Sequence, residues 1–119
     1  MGGAQLAWME RECAAARAAN KRVIIFSHHP VWPENEHNVW NSAEVLALLD
    51  RHRHIVAWIS GHNHAGGFGE RHGLPFVTMR GMVETAATTA YAVARVLPDR
   101  LLLEGQGREP SRELPFRTA

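Results

Sequence analysis

Val23-Ile24-Ile25-Phe26 runs directly into Ser27-His28-His29-Pro30, and Ile55-Val56-Ala57-Trp58-Ile59 runs directly into Ser60-Gly61-His62-Asn63-His64. Both apolar runs are short and unbroken rather than alternating, the pattern of strands covered on both faces. Between them, Ala43, Leu46, Leu49 and His52 recur on one face of a helix. It opens on half a capping box at Ser42 and extends to about Arg53. Strand, helix, strand from Arg22 to Ser60 therefore reads as a right-handed crossover with two parallel buried strands. The stretch up to Asn41, with Pro30 and Pro33 and the apolar anchors Trp32, Val39 and Trp40, reads as a long loop.

Upstream, Ala4 to Asn20 is rich in Ala, Glu and Arg, and Leu6, Met9, Cys13 and Ala16 follow helical spacing, with Asn20 as the stop. Downstream, Gly61, Gly66, Gly67, Gly69 and Gly73 interrupt the chain until Pro75 to Met79 resumes as a strand. Tyr91 to Leu97 and Leu101 to Glu104 flank the turn Pro98-Asp99-Arg100 and predict an antiparallel hairpin. The tail from Gly105 is expected to run over the surface. The fold class is α/β: a parallel strand-helix-strand unit followed by antiparallel strands, in one domain over residues 1–119.

Composition narrows the function. Of 119 residues, 45% are hydrophobic and 21% charged, and no apolar run approaches the roughly 18 residues of a membrane span. The start carries neither a secretory nor a myristoylation signal. A formal charge of +1 argues against a nucleic-acid binder that works by neutralising phosphates. A single cysteine, Cys13, allows no internal disulfide, which fits a reducing cytoplasm.

Eight histidines stand out, four of them in two patches at the predicted strand ends. In α/β folds, ligand sites gather beyond the carboxyl ends of strands, and a direct crossover sets its two strands side by side. The patches should therefore meet. Imidazole nitrogen suits zinc, manganese and iron, and Gly61 lets the chain turn so that His62 and His64 diverge. His28, His62 and His64 are the candidate metal ligands, and His29 lines the pocket toward substrate or packs beside Pro30. His37, His52, His54 and His72 are read as ordinary hydrogen-bonded histidines.

Strand-H-x-P followed by strand-G-H-x-H resembles the C-terminal half of the calcineurin-like metallophosphoesterases. The match is longer still. Gly2-Gly3-x-Gln5-Leu6-x-Trp8, Ser27 to Pro30, Trp40-Asn41, Gly61-His62-Asn63-His64-x-Gly66-Gly67, Gly81 to Thr85 and Gly105-x-Gly107-Arg108-x-Pro110-Ser111-Arg112 resemble the manganese-dependent ADP-ribose/CDP-alcohol diphosphatase branch. The resemblance implies half of a β-sandwich flanked by helices and two divalent metal ions, manganese or alternatively zinc or iron. It implies His28 and His62 on one ion, His64 on the other, His29 as a catalytic residue, and Asn41 and Asn63 as substrate contacts. The substrate implied is a small nucleotide-derived diphosphate.

The same family takes D-x-H, G-D-x-x-D and G-N-H-[DE] from its first half, including the aspartate that bridges the metals. This chain has only Asp50 and Asp99, and Asp50-Arg51-His52 falls in the second predicted helix, where i and i+2 face apart. A partial domain whose partner is the missing N-terminal half is therefore expected, inactive alone. Trp8, Trp32, Trp40 and Trp58 then belong either to surface left by that half or to ordinary core. Asn41 either reaches the pocket or caps the second helix, Glu84 either orients a ligand histidine or is solvated, and Arg108 and Arg112 either bind a second phosphate or are solvated. Two rival functions stand: another hydrolase of the superfamily, such as a phosphomonoesterase or cyclic-nucleotide phosphodiesterase, and a non-catalytic metal-binding or assembly module.

Overall fold

The computed structural model describes residues 1–118. In chain order the elements are α1 (Gly3–Ala18), β1 (Val23–Ser27), α2 (Ser42–Arg51), β2 (Ile55–Ser60), β3 (Gly67–Arg71), β4 (Leu74–Thr78), β5 (Ala90–Val96), β6 (Arg100–Gly107) and β7 (Arg112–Pro115). One sheet has the order β1-β2-β4-β3 and a second the order β5-β6-β7. β1 and β4 both run parallel to β2, while β3 pairs antiparallel with β4 and the second sheet is antiparallel throughout. No helix among the described residues is long and apolar enough to cross a membrane.

The unbroken apolar strands are explained by burial on two sides. Trp58, Leu74 and Phe76 pack with Met9 and Cys13 of α1 and Val45, Leu48 and Leu49 of α2. Ala57, Ile59 and Val77 meet Leu101, Leu103 and Leu114 of the second sheet. Every residue of β2 and β4 is buried as a result. The layers are helices, mixed sheet and antiparallel sheet, a β-sandwich with helices on one outer face.

The expected stop of α1 is real: Asn20 has φ +56, Lys21 N–H donates to the Ala16 carbonyl at 2.8 Å, and Asn20 N–H to Arg17 at 2.9 Å. This is the Schellman arrangement, which a short polar residue tolerates. In α2 the buried face is Val45, Leu48 and Leu49, continued by His52, and Ala43 is exposed. The two stripes differ by a small rotation of the helix, and the one carrying Val45 and Leu48 removes more apolar area from water.

Three expectations are corrected. β1 is an edge strand: it pairs only with β2 among the described residues, and Phe26 is 71% exposed. The glycine-rich stretch contains β3, closed on β4 by the two-residue turn His72-Gly73 with φ +51 and +77, the primed geometry that hairpins favour. Gly69 lies in it because a Cβ there would come within 2.5 Å of the Pro33 ring. The tail is not a surface strand of coil, since it completes β6 and adds β7, which buries Leu114. Arg117 beyond it is buried, and its guanidinium donates to the Leu49 and His52 carbonyls at the end of α2, at 3.0 and 3.1 Å. It thus adds a charged donor to helix-end carbonyls that also accept from the His52 and Ile55 N–H groups.

Candidate metal centre

Parallel register brings the histidine patches together. Ser27 pairs with Ser60 and Ser60 with Thr78, so β1, β2 and β4 end at one edge of the sheet. The ladder extends one step further, where Gly61 N–H donates to the His28 carbonyl at 2.9 Å. Beyond that step the histidine side chains converge. His62 Nδ1 lies 3.2 Å from His28 Nε2, and the ring of His29 is centred 4.3 Å from that of His62. One nitrogen from each of His28, His29 and His62 falls within 4.8 Å of the other two.

The turn is made differently from the sequence reading. Gly61 does not supply the left-handed backbone; His62 itself does, at φ +65. An imidazole there costs conformational energy that glycine would not, and such outliers gather where a side chain is needed in place. All three rings of the group are exposed.

His64 takes a separate direction. Its Nδ1 is hydrogen-bonded to the Glu84 carboxylate, on the segment that follows β4. A carboxylate on one ring nitrogen sets the tautomer and leaves Nε2 as the ligating nitrogen. Gly81 is required beside it, since a Cβ there would lie 2.8 Å from His64 Cγ. Arg108 braces the same segment by donating to the Gly81 carbonyl at 2.6 Å and to Thr88 Oγ1 at 2.9 Å.

The donor set fits a divalent ion of borderline hardness. Two imidazoles bound to one ion at about 2.0–2.1 Å, with bond angles between square and tetrahedral, have nitrogens roughly 2.9–3.4 Å apart. The His28–His62 separation of 3.2 Å lies inside that window, which an N–H···N hydrogen bond also satisfies. The three-residue group contains no carboxylate. Asp50 is bonded to Arg71 and His72. Burial raises its pKa, but those two hydrogen bonds outweigh it and hold the carboxyl below the usual range. The D-x-H match is thus structural.

The remaining candidates separate cleanly. Asn41 is buried; its Oδ1 accepts from the Met1 ammonium and its Nδ2 donates to the Met1 carbonyl, both at 2.7 Å. It makes no side-chain cap to α2. Asn63 sits in the tight turn after His62, its N–H donating to Gly61 and its carbonyl accepting from Gly66. Arg112 lies over the Phe68 ring at 4.9 Å, and Trp58 is core, while Trp8 and Trp40 are exposed. His52 is tied to Glu10 at 2.6 Å and His54 to the Cys13 carbonyl at 2.7 Å. His37 is the residue that sequence reasoning missed: its ring is centred 5.4 Å from that of His62. A loop without periodicity carries no signal that would have placed it.

Crowding depresses the pKa of His62. Desolvation is the largest cause, followed by the like charges of His29, His28, His37 and His64. A lowered histidine pKa favours the neutral, ligating ring, and protonation disfavours both the ion and the assembled site as pH falls. Zinc affinity should therefore hold at neutral pH and be lost on acidification, as pH falls through the lowered pKa of His62, which calorimetry across pH 5 to 8 measures.

No protein-family model matches the chain. It is 35% identical over 118 residues to the manganese-dependent ADP-ribose/CDP-alcohol diphosphatase of Bos taurus, a match covering 95% of this chain and 35% of that protein. The Homo sapiens protein of the same name is 33% identical, with 95% and 34% covered, and that of Oryza sativa 31%, with 98% and 38%. The chain spans about a third of the length of these relatives. A crystal structure of a dimetal phosphatase from Danio rerio superposes with a TM-score of 0.92 at 30% identity, over 98% of this chain and 39% of that one. Motif order, sheet topology and these comparisons agree: the chain is similar, in sequence and in fold, to the manganese-dependent ADP-ribose/CDP-alcohol diphosphatases across about a third of their length.

Proposed function

We propose that this chain is the C-terminal part of a two-metal diphosphatase that cleaves the phosphoanhydride bond of a nucleoside diphosphate derivative such as ADP-ribose or a CDP-alcohol. The observation that carries the reading is the His28–His62 pair, 3.2 Å apart at two adjoining strand ends. In this account His28 and His62 hold one ion, and His64, oriented by Glu84, holds the other. Bound divalent ions supply Lewis acidity that offsets the charge developing on the phosphoryl oxygens. His29, within the same group, hydrogen-bonds the substrate phosphate or passes a proton to the leaving oxygen. A cavity of about 440 Å³ adjoins His28 and His29 and is walled by Val39 and Trp40, whose exposed indole offers a stacking face to a base. Asn63 is the further polar contact on this edge. The manganese dependence in the relatives' names supports manganese as the working ion, and the lone buried Cys13 supports a cytoplasmic location.

The rest of the coordination shell is proposed to come from the missing N-terminal half. Three features support this: the relatives are about three times longer, the histidine group has no carboxylate, and β1 leaves an open edge bearing Phe26. An all-imidazole group also suits a second reading, in which the isolated chain only binds an ion. Hydrolysis of ADP-ribose with manganese tests the proposal. The 119-residue chain alone should show no turnover, and the longer protein that contains it should show turnover that His62→Asn abolishes. Activity of the longer protein that survives loss of His28 and His62 would overturn the assignment.

A further inference from the structure

At the opposite end of the sheet, where β1 and β2 begin, a cavity of about 810 Å³ is lined by Arg17, Lys21, Arg22, Arg53, Phe116 and Arg117. The strands between are five and six residues long, so at about 3.3 Å per residue the cavity is roughly 17–20 Å from the histidine group. Its charges are poorly compensated from within. Arg17, Lys21, Arg22 and Arg53 take part in no salt bridge among the described residues. The two carboxylates on the cavity wall are committed elsewhere, Asp50 to Arg71 and His72 and Asp99 to Arg100.

Arg117 sharpens the imbalance. Its guanidinium is buried and, among the described residues, donates only to neutral carbonyls, those of Ile55, Leu49, His52 and His72. Burial first, then the charge of Arg53, lowers its pKa, with Asp50 offsetting part of this. A buried cation without a bonded carboxylate, in a pocket walled by further cations, is stabilised by an anion that enters. The neighbouring cations are already held in place: Arg22 lies over the Phe116 ring at 4.9 Å, and Arg53 Nε donates to the Thr118 carbonyl at 3.0 Å. Ordering them beforehand reduces the entropy lost on binding.

We propose that this cavity is a second ligand site, distinct from the metal centre, for a small multiply charged phosphate anion. Guanidinium forks match phosphate oxygens in pairs, and the cavity volume falls in the range of small-molecule sites. The formal charge of +1 for the whole chain favours a compact anion over an extended nucleic acid.

The test is calorimetry of the 119-residue chain with sodium tripolyphosphate, in chelator and at low salt. Binding on the order of 10 µM is expected, weaker with inorganic phosphate. The exposed pair Lys21→Ala/Arg22→Ala should weaken it at least tenfold, Arg53→Ala should weaken it separately, and His28→Ala/His62→Asn should leave it unchanged. Absence of binding below about 1 mM would overturn the site. So would loss in the histidine variant but not in the cavity variants, or tighter binding of a 20-nucleotide single strand than of tripolyphosphate.

Discussion

Replacing His62 with glycine should raise the stability of the chain and at the same time abolish its zinc binding. His62 occupies the left-handed region at φ +65, where glycine carries no Cβ penalty and a β-carbon-bearing residue does. Relief of that strain is worth about 1 kcal/mol, less the entropy that glycine adds to the unfolded chain. The same change removes the central member of the three-histidine group, whose ring contacts His28, His29 and His37. Loss of a ligand should cost more than the roughly 10–100-fold that loss of an outer hydrogen-bond partner does. Asparagine, which tolerates the left-handed region, separates the two effects by retaining the backbone without the imidazole. Urea unfolding and zinc calorimetry on the wild type, His62→Gly and His62→Asn measure both. A glycine variant that still binds zinc like the wild type would remove His62 from the site.

Trp58→Ala should cost about 3–5 kcal/mol, a large share of the roughly 5–15 kcal/mol typical of a domain. Trp58 is 1% exposed, the largest of the fully buried side chains, and packs between the mixed sheet and both helices. It lies on β2, which is hydrogen-bonded on both edges and ends at Ser60, two residues before His62, so the loss should loosen the metal centre as well as the core. Its indole N–H has no hydrogen-bond partner among the described residues. Trp58→Phe keeps most of the apolar area and removes that unsatisfied donor, and should therefore cost far less. Denaturant midpoints of the two variants give the comparison; equal losses would show that area burial is not what Trp58 contributes.

The part of the fold written in local pattern was legible. Unbroken apolar runs marked β2 and β4 because each is covered by helices on one face and by the second sheet on the other. Asn20 marked the end of α1 because its backbone conformation is a local property. Parallel pairing followed from the length of the Arg22–Ser60 connection, and with it the meeting of His28 and His62. What was illegible depended on tertiary context. β1 and β2 look alike as strings, and only pairing shows that β1 is an edge. β3 is weak in propensity, and Gly69 within it is required by the close approach of the Pro33 ring. The tail from Gly105 reads as surface, yet four backbone carbonyls converge on Arg117 within it. Glu84 was left between two roles, and the structure places its carboxylate on His64 Nδ1.

The histidine-only group should become a manganese site once hard oxygen ligands from outside this chain join it. Imidazole alone favours zinc over manganese, and carboxylates shift the balance. Calorimetry with both ions, on this chain alone and again with the N-terminal half added in trans, measures that shift directly. Zinc binding and negligible manganese binding are expected of the chain alone, then manganese binding once the other part is present. Tight manganese binding by the isolated chain that persists when His28, His62 and His64 are each replaced would contradict it.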